Sequence, residues 1–306
     1  MNQTISLPKI RDLHAGQTPR TRFAPSVTGH LHLGHAVNAV YVWGLAQALS
    51  GEVIVRLEDH DRGRFRPEFE RSILDDLEWL GLTGPLSRQS DHDDRYRAAA
   101  GHLGDAGLTF YCDCTRRSLA AGADPTDGAT PRYPGTCRTR HLSEGPGRAL
   151  RVRMDPGAES FDDLRLGPQT QDPAAEVGDV VLRDALGQWT YQHCVVADDI
   201  AEEITLVIRG EDILESTGRQ LRLFQLLAGR GRPALGAPPR YLHHPLVTDA
   251  SGRKLSKKEF AQSLGDLRRE GWSAERVLGE AAFLGGLTTN PVPLPAKDLV
   301  HLFTND

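Results

Sequence analysis

"FAPSVTGHLHLGHAVNAV", residues 23–40, mixes residues a packed element avoids with residues it needs. Pro25, Gly29 and Gly34 are poor strand and helix formers. His30, His32 and His35 crowd beside them, with His60 soon after. From Ala36 to Leu49 the chain is apolar on nearly every face, as in a buried helix. Residues 20–23 read as a short strand entering the turn. A strand, a glycine-bearing turn and a helix form an arrangement that holds phosphate. The helix start offers unpaired N–H groups and the positive end of its dipole. Gly29 and Gly34 let the backbone approach a ligand. His32 and His35, three apart, face one side. Their imidazoles can donate to a phosphate oxygen whose charge grows in a transition state.

Outward from this stretch the pattern stays α/β. Gly51 is expected to close the first helix. "EVIVRLED", 52–59, reads as a buried strand. Pro67 opens a helix with Phe69, Ile73, Leu77 and Leu80 on one face, closed by Gly81. Residues 112–148 change character, rich in Gly, Pro, Arg and Thr with little periodicity, and read as an insertion. From Val180 the α/β pattern returns. "DVVLRDALGQWTYQHCVVADD" reads as two strands about a turn near Leu186–Gly187. "ITLVIRGED" reads as another strand, and 216–228 as a helix. Further on, Ser273 caps a helix with Val277, Ala281 and Leu284 on one face. Neither internal repeats nor low-complexity tracts stand out.

The chain has 306 residues, 39% hydrophobic and 25% charged, ordinary for a globular protein. No apolar run reaches the roughly 18 residues of a membrane span. The start, "MNQTISLPKIRDLHAG", lacks a signal-peptide core, so a cytoplasmic protein without membrane partners is expected. Four cysteines do not make a disulfide scaffold at this length. Cys112, Cys114 and Cys137 cluster in the insertion and suggest a metal site. On residue type alone His141 is the fourth ligand, with Asp113 another option. Cys194 reads as a small buried residue. The net charge of −5 argues against general nucleic-acid binding. Locally, residues 115–153 hold eight arginines against Asp124, Asp127 and Glu144. That is either a phosphate-backbone footprint or a solvated loop. Only five lysines occur, and Lys254, Lys257 and Lys258 are three of them, which suggests a point-charge task.

The spacing P-x-x-x-G-x-x-H-x-G-H, ending in "HLGH", resembles the signature of class I aminoacyl-tRNA synthetases. "KLSKK", 254–258, resembles their second, KMSKS-like motif, with Lys258 in place of its final serine. The resemblance implies ATP binding by His32, Gly34, His35 and Lys257, with His32, His35, Lys254 and Lys257 catalytic. ATP would arrive with Mg²⁺. "TRFAPSVTGHLHLGH" is similar to the glutamyl and glutaminyl branch, and implies an L-glutamate site from Arg22, Phe23, Ala24, Pro25 and Ser26. Chemistry gives an independent argument. Glutamate has two carboxylates and an ammonium. Arg22 and Arg209 could each offer a bidentate fork, Glu58 could accept the ammonium, and Tyr191 could add a hydrogen bond. All four are expected at strand ends or pore-facing places, where open α/β sheets put ligands. Asp59 and Asp61 are weaker candidates, and the plain alternative for Arg209 is an ion pair with Glu211 or Asp212.

The chain stops at Asp306, where an ordinary glutamyl-tRNA synthetase continues into an anticodon-binding region. It therefore resembles the shortened glutamyl-queuosine tRNA(Asp) synthetase family. That implies glutamyl-adenylate formation, then transfer of glutamate to the cyclopentene diol of queuosine at the wobble position of tRNA(Asp). The resemblance also implies a structural Zn²⁺ held by Cys112, Cys114, Tyr133 and Cys137. The fold class expected is α/β. It is a Rossmann-type parallel-sheet nucleotide-binding core with an inserted zinc-containing subdomain and a small C-terminal helical region. The division would be 1–111 and 166–236 for the two catalytic halves, 112–165 for the acceptor-binding insertion, and 237–306 for the lysine loop and a helical region contacting the anticodon stem-loop. A monomer is expected. The rival readings are a glutamyl-tRNA synthetase charging the 3′ end of tRNA(Glu), an adenylate-forming enzyme loading a non-tRNA acceptor, and a non-catalytic RNA-binding relative.

Overall fold

The computed structural model describes residues 18–120, 132–228, 236–247 and 262–304. The first half runs β1 (Arg20–Phe23), α1 (Leu33–Ala48), β2 (Glu52–Leu57), α2 (Pro67–Leu80), β3 (Leu86–Arg88) and α3 (Asp93–Asp105). A middle stretch follows with β4 (Thr109–Cys112), β5 (Ala149–Val152), β6 (Glu159–Asp163), β7 (Gly167–Gln171) and β8 (Val180–Arg183). The second half has α4 (Tyr191–Ala201), β9 (Leu206–Gly210), α5 (Thr217–Ala228) and β10 (Arg240–His244), with α6 (Ala274–Leu284) beyond.

Strands β1, β2 and β3 pair in parallel, with Arg20 opposite Glu52 and Val55 opposite Leu86. A second sheet has the order β7-β6-β10-β9, parallel except for the β6–β7 hairpin. The two sheets abut at β1 and β9. There Thr205 N donates to Arg20 O at 2.9 Å and Arg20 N to Thr205 Oγ1 at 3.0 Å. The strand order therefore turns outward between β1 and β9, and a ligand crevice is expected where such a reversal occurs. A third, antiparallel sheet, β4-β5-β8, carries the cysteine region on its connection.

Helix α1 sits at the centre because its sequence is apolar almost all round. Val37, Val40, Val42 and Leu45 are all fully buried. Each such side chain contributes roughly 1.5–3 kcal/mol of burial. Its end differs from expectation. Ser50, not Gly51, takes the left-handed conformation, at φ 54°. Gly51 is small for another reason: a Cβ there would stand 2.5 Å from Pro19 O. Helix α2 keeps to its sequence signals, with Pro67 at its start, Glu68 and Glu70 in the first turn, and Gly81 at φ 71° as the stop.

The segment read as two strands about Leu186–Gly187 is half corrected. β8 and the turn are there, with Gly187 at φ 84°. Its second half is helix α4, and only one bridge, Arg183 to Trp189, continues the hairpin. A short apolar run does not by itself distinguish a buried helix from a buried strand. As a helix, the run buries Cys194, Val195, Val196 and Ala197 and brings Asp198 and Asp199 against the arginines beneath the crevice. Tyr191 is consequently the first residue of a helix, not a residue at a strand end.

The arginine-rich stretch is tied down largely by contacts within the protein. Six of its eight arginines have partners within the protein. Arg138 binds Asp179 (Nε to Oδ2, 2.6 Å), and Arg140 pairs with Asp113. Arg132 and Arg148 bind backbone carbonyls of Ala174 and Ser143. Arg151 lies over the Tyr133 ring at 3.9 Å and Arg153 over Phe110 at 5.5 Å. A loop segment with little regular structure is held by charge and cation–π contacts in place of a large apolar core.

Candidate active site

A cavity of about 490 Å³ opens at the C-terminal ends of β1, β2, β9 and β10. It is lined by Arg22, Ala24, Pro25, Ser26, His32, Gly34, His35, Glu58, Tyr191 and Arg209, and by residues of the β10 end. It thus brings together, at one crevice, residues spread over most of the chain.

The histidine pair forms the start of α1. His32 is the N-cap, and its Nδ1 accepts from Gly34 N at 3.1 Å. His35 Nδ1 accepts from His32 N at 3.1 Å. This is a capping box built from two imidazoles, where serine and glutamate are usual. The rings lie 4.0 Å apart. An Nδ1 that accepts carries no proton, so both rings are neutral with the proton on Nε2. Each ring therefore holds the helix start through Nδ1, and Nε2 is the nitrogen that can carry its N–H. The Gly34 amide is engaged by His32, so Gly34 offers closeness of approach to a ligand and not a donor.

Two buried arginines and an acid form another part of the cavity lining. Arg22, next to last in β1, donates from Nε to Asp199 Oδ1 at 3.3 Å. Arg209, near the end of β9, donates to His243 Nε2 (2.9 Å), Gln220 Oε1 (2.7 Å) and Thr217 Oγ1 (2.8 Å). The ion pair considered for Arg209 is not formed, and Glu211 pairs with Arg165. Glu58 is 8% exposed, and burial pushes its carboxyl up to about 7 against the pull of Arg22 and Arg56. Burial also raises the Tyr191 hydroxyl. Phe23 is different: its ring is in the core, 5.2 Å from Trp43, and does not line the cavity. Asp59 and Asp61 bind Arg62 and Arg64. Lys254 and Lys257 lie outside the described residues.

Several cavity residues escaped the sequence reading. Asn38 donates to Ile208 O at 3.3 Å and contacts His244 Nε2 at 3.1 Å. It lies one turn past His35, so helical spacing from the histidine pair could have found it. His244 ends β10 and stacks on Tyr41, with burial lowering its pKa to about 4. The signal was "YLHHPL", two histidines closing an apolar strand.

A second cluster lies at the end of β4 and on the connection from β4 to β5. The thiols of Cys112, Cys114 and Cys137 all lie within 4.8 Å of one another. Tyr133 is buried beside them, its hydroxyl accepting from Cys137 N at 2.9 Å. His141 and Asp113 are not part of that group, although Asp113 contacts Cys137 Sγ at 3.5 Å. Two buried thiols and one half-buried thiol at this spacing suit a structural metal site, and they are softer ligands than magnesium or calcium takes.

The model of the family "tRNA synthetases class I (E and Q), catalytic domain" matches residues 19–290. The chain is 39% identical over 305 residues to the Glutamyl-Q tRNA(Asp) synthetase of Nitratidesulfovibrio vulgaris, covering 93% of this chain and 92% of that one. It is 43% identical over 290 residues to the protein of the same name from Xanthomonas campestris pv. campestris, covering 91% and 86%. A glutamate-tRNA synthetase from Elizabethkingia anophelis has the same fold, with a TM-score of 0.75 at 24% identity. That match covers 93% of this chain and 65% of the solved one. Among the described residues no helix is long and apolar enough to cross a membrane.

Proposed function

Because the chain belongs to the class I tRNA synthetase family of the glutamate and glutamine type, a family of ligases, we propose that it activates L-glutamate with ATP. It then transfers the glutamyl group to the cyclopentene diol of queuosine in the anticodon loop of tRNA(Asp). The observation that carries this reading is the shared cavity: Arg22, Arg209 and Glu58 line the same space as the His32/His35 helix start. Arg22, Arg209 and Glu58 match an amino acid with two carboxylates and one ammonium, and a second acid, Asp212, lines the same cavity. A neutral imidazole pair at a helix N-terminus matches a polyphosphate.

In the first step an oxygen of the glutamate α-carboxylate attacks the α-phosphorus of ATP, which enters as its Mg²⁺ complex. The bond from that phosphorus to the bridging oxygen breaks, and pyrophosphate leaves with the electron pair. Arg22 and Arg209 hold the carboxylates, Glu58 the ammonium, and Tyr191 adds its hydroxyl. Ala24, Pro25 and Ser26 form the wall, and Phe23 supports it from the core side. His32 and His35 donate from Nε2 to phosphate oxygens as their charge grows, with Gly34 allowing close approach. Lys257, with Lys254, holds the departing pyrophosphate. In the second step a queuosine hydroxyl attacks the adenylate carbonyl carbon, AMP leaves, and the hydroxyl proton passes to the adenylate phosphate.

Cys112, Cys114, Cys137 and Tyr133 would hold zinc, which supplies a rigid cross-link and no chemistry. In this reading residues 112–165 form the acceptor-binding unit between the catalytic halves 1–111 and 166–236, and 237–306 complete the stem contact. The protein works in the cytoplasm as a monomer, and its four free thiols fit a reducing compartment. The test is transfer of labelled glutamate to tRNA(Asp), with and without queuosine and after periodate treatment of the diols. Label on the modified wobble nucleotide is expected. Label on the 3′ terminus of tRNA(Glu) would instead make the chain a tRNA-charging enzyme.

A further inference from the structure

Two arginines reach the cavity, and their surroundings differ in kind. Arg22 touches a carboxylate, Asp199, so part of its charge is compensated within the protein. Arg209 is 4% exposed, and each of its hydrogen bonds ends on a neutral atom: an imidazole nitrogen, an amide oxygen and a hydroxyl. A buried cation with no carboxylate directly against it is costly to keep. The cost is offset when an anion arrives in the cavity the guanidinium lines.

Holding such a group requires its neighbours to stay neutral and to accept. His243 is fully buried and donates from Nδ1 to Asp163 Oδ2 at 2.7 Å, Asp163 being fully buried as well. The same oxygen accepts His243 N at 3.1 Å. Asp163 Oδ1 is held by the amides of Arg165 and Leu166 at 3.0 and 2.9 Å. With its proton fixed on Nδ1, His243 has a lone pair on Nε2, and that lone pair takes Arg209 Nε–H. The other charged or titratable groups around the imidazole are Arg165, Tyr241 and His244. Burial keeps the ring neutral against the pull of Asp163.

We infer that Asp163 and His243 are positioning residues for Arg209, holding its guanidinium toward a carboxylate of the amino-acid substrate. This rests on the glutamate-activating reading above. Neither residue touches substrate. Asp163 selects the tautomer, His243 supplies the acceptor, and Arg209 makes the contact. The three belong to β6, β10 and β9, so the relay crosses adjacent strands of one sheet.

The test is ATP–pyrophosphate exchange with glutamate and ATP varied separately. His243→Asn keeps a polar link to Asp163 but removes the acceptor for Arg209. It should raise the KM for glutamate roughly 10- to 100-fold, the scale of a hydrogen bond to a charged group, and leave the KM for ATP within about twofold. His243→Gln places an amide oxygen where Nε2 was and should restore glutamate KM to within a few-fold of wild type. Asp163→Asn turns an NH₂ toward the ring, reverses the tautomer and sets two donors face to face at Arg209. It should resemble His243→Asn. If His243→Asn does not fold by thermal melting, Asp163→Asn and His243→Gln decide the question. Unchanged glutamate KM in a folded His243→Asn or Asp163→Asn, or equal losses for glutamate and ATP, overturns the inference alone. Absence of glutamate-dependent exchange in the wild-type protein overturns the reaction itself, and the inference with it.

Discussion

Arg22 and Arg56 share one carboxylate oxygen: Asp199 Oδ1 accepts from the first at 3.3 Å and from the second at 2.7 Å. Arg56 is fully buried and also donates from Nε to Glu202 Oε2 at 2.9 Å. Burial works against its charge, yet Asp199, Glu202 and Asp198 together hold the guanidinium proton well above its usual range. Asp199→Asn leaves two buried cations short of a partner. Urea unfolding should show a loss of roughly 3–5 kcal/mol, with glutamate binding weakened in whatever protein folds. A loss below about 1 kcal/mol would mean that Glu202 and Asp198 suffice.

Glu58 gives the pH dependence. Its pKa is raised from 4.5 to about 7 by burial, so the empty site is largely protonated below neutrality. For an acid with a raised folded pKa, stability is lost as pH rises from the unfolded value toward the folded one. The empty protein should therefore be more stable near pH 5 than near pH 8. Ligand binding runs the other way, because only the carboxylate accepts an ammonium. Glutamate affinity should fall as pH drops below about 7, approaching tenfold per unit. Glu58→Gln should flatten that slope, which isothermal titration across pH 5.5–8 would read (an assay window chosen about that pKa).

The imidazole capping box separates stability from chemistry. His32→Asn keeps an N-cap acceptor for Gly34 N and should leave the melting temperature nearly unchanged. It removes the Nε2 donor and should slow adenylate formation by about 10²-fold. His32→Ala should lose both, with a stability cost of about 1 kcal/mol. Lys257→Ala should match the kinetic loss of His32→Asn with no effect on folding. A His32→Asn enzyme with wild-type exchange rates would remove His32 from the mechanism.

The thiol cluster predicts metal content. The purified protein should hold about one zinc per chain by elemental analysis, in the closed coordination of a structural site. Cys114→Ser should lose it, and chelation should lower the melting temperature while the cavity residues stay in place. Retention of zinc by Cys114→Ser together with Cys137→Ser would mean that the metal sits elsewhere.

Reading the chain without its structure went furthest where local rules suffice. The β1–turn–α1 unit, the Pro67–Gly81 helix and the three clustered thiols are all written in short stretches. The second strand expected at 188–199 became α4 because tertiary contacts decide a short apolar run. The buried acids Asp198 and Asp199 fit only the helical version, against Arg95, Arg22 and Arg56. Arg56, inside "EVIVRLED", was the local hint that a buried counter-charge existed. Asp163, His243 and Arg209 come from three strands far apart in sequence, and only the strand order makes them neighbours. The arginine run gave its charge from composition, but its partners, Asp113, Asp179, Tyr133 and Phe110, required coordinates.

Tyr133 also ties two parts of the molecule together. Gly178, at φ 73°, brings its Cα so close to the Tyr133 backbone that any Cβ would collide with the carbonyl, and Tyr133 N donates to Val177 O at 2.9 Å. Two residues later the chain enters β8, and β8 leads through one turn to Tyr191 at the rim of the cavity. A lineage that gave up the cysteines would thus inherit a second problem. The main chain at Tyr133, beside those thiols, is still the clasp for the polypeptide that leads to Tyr191, so the backbone path there must hold even where the metal ligands drift.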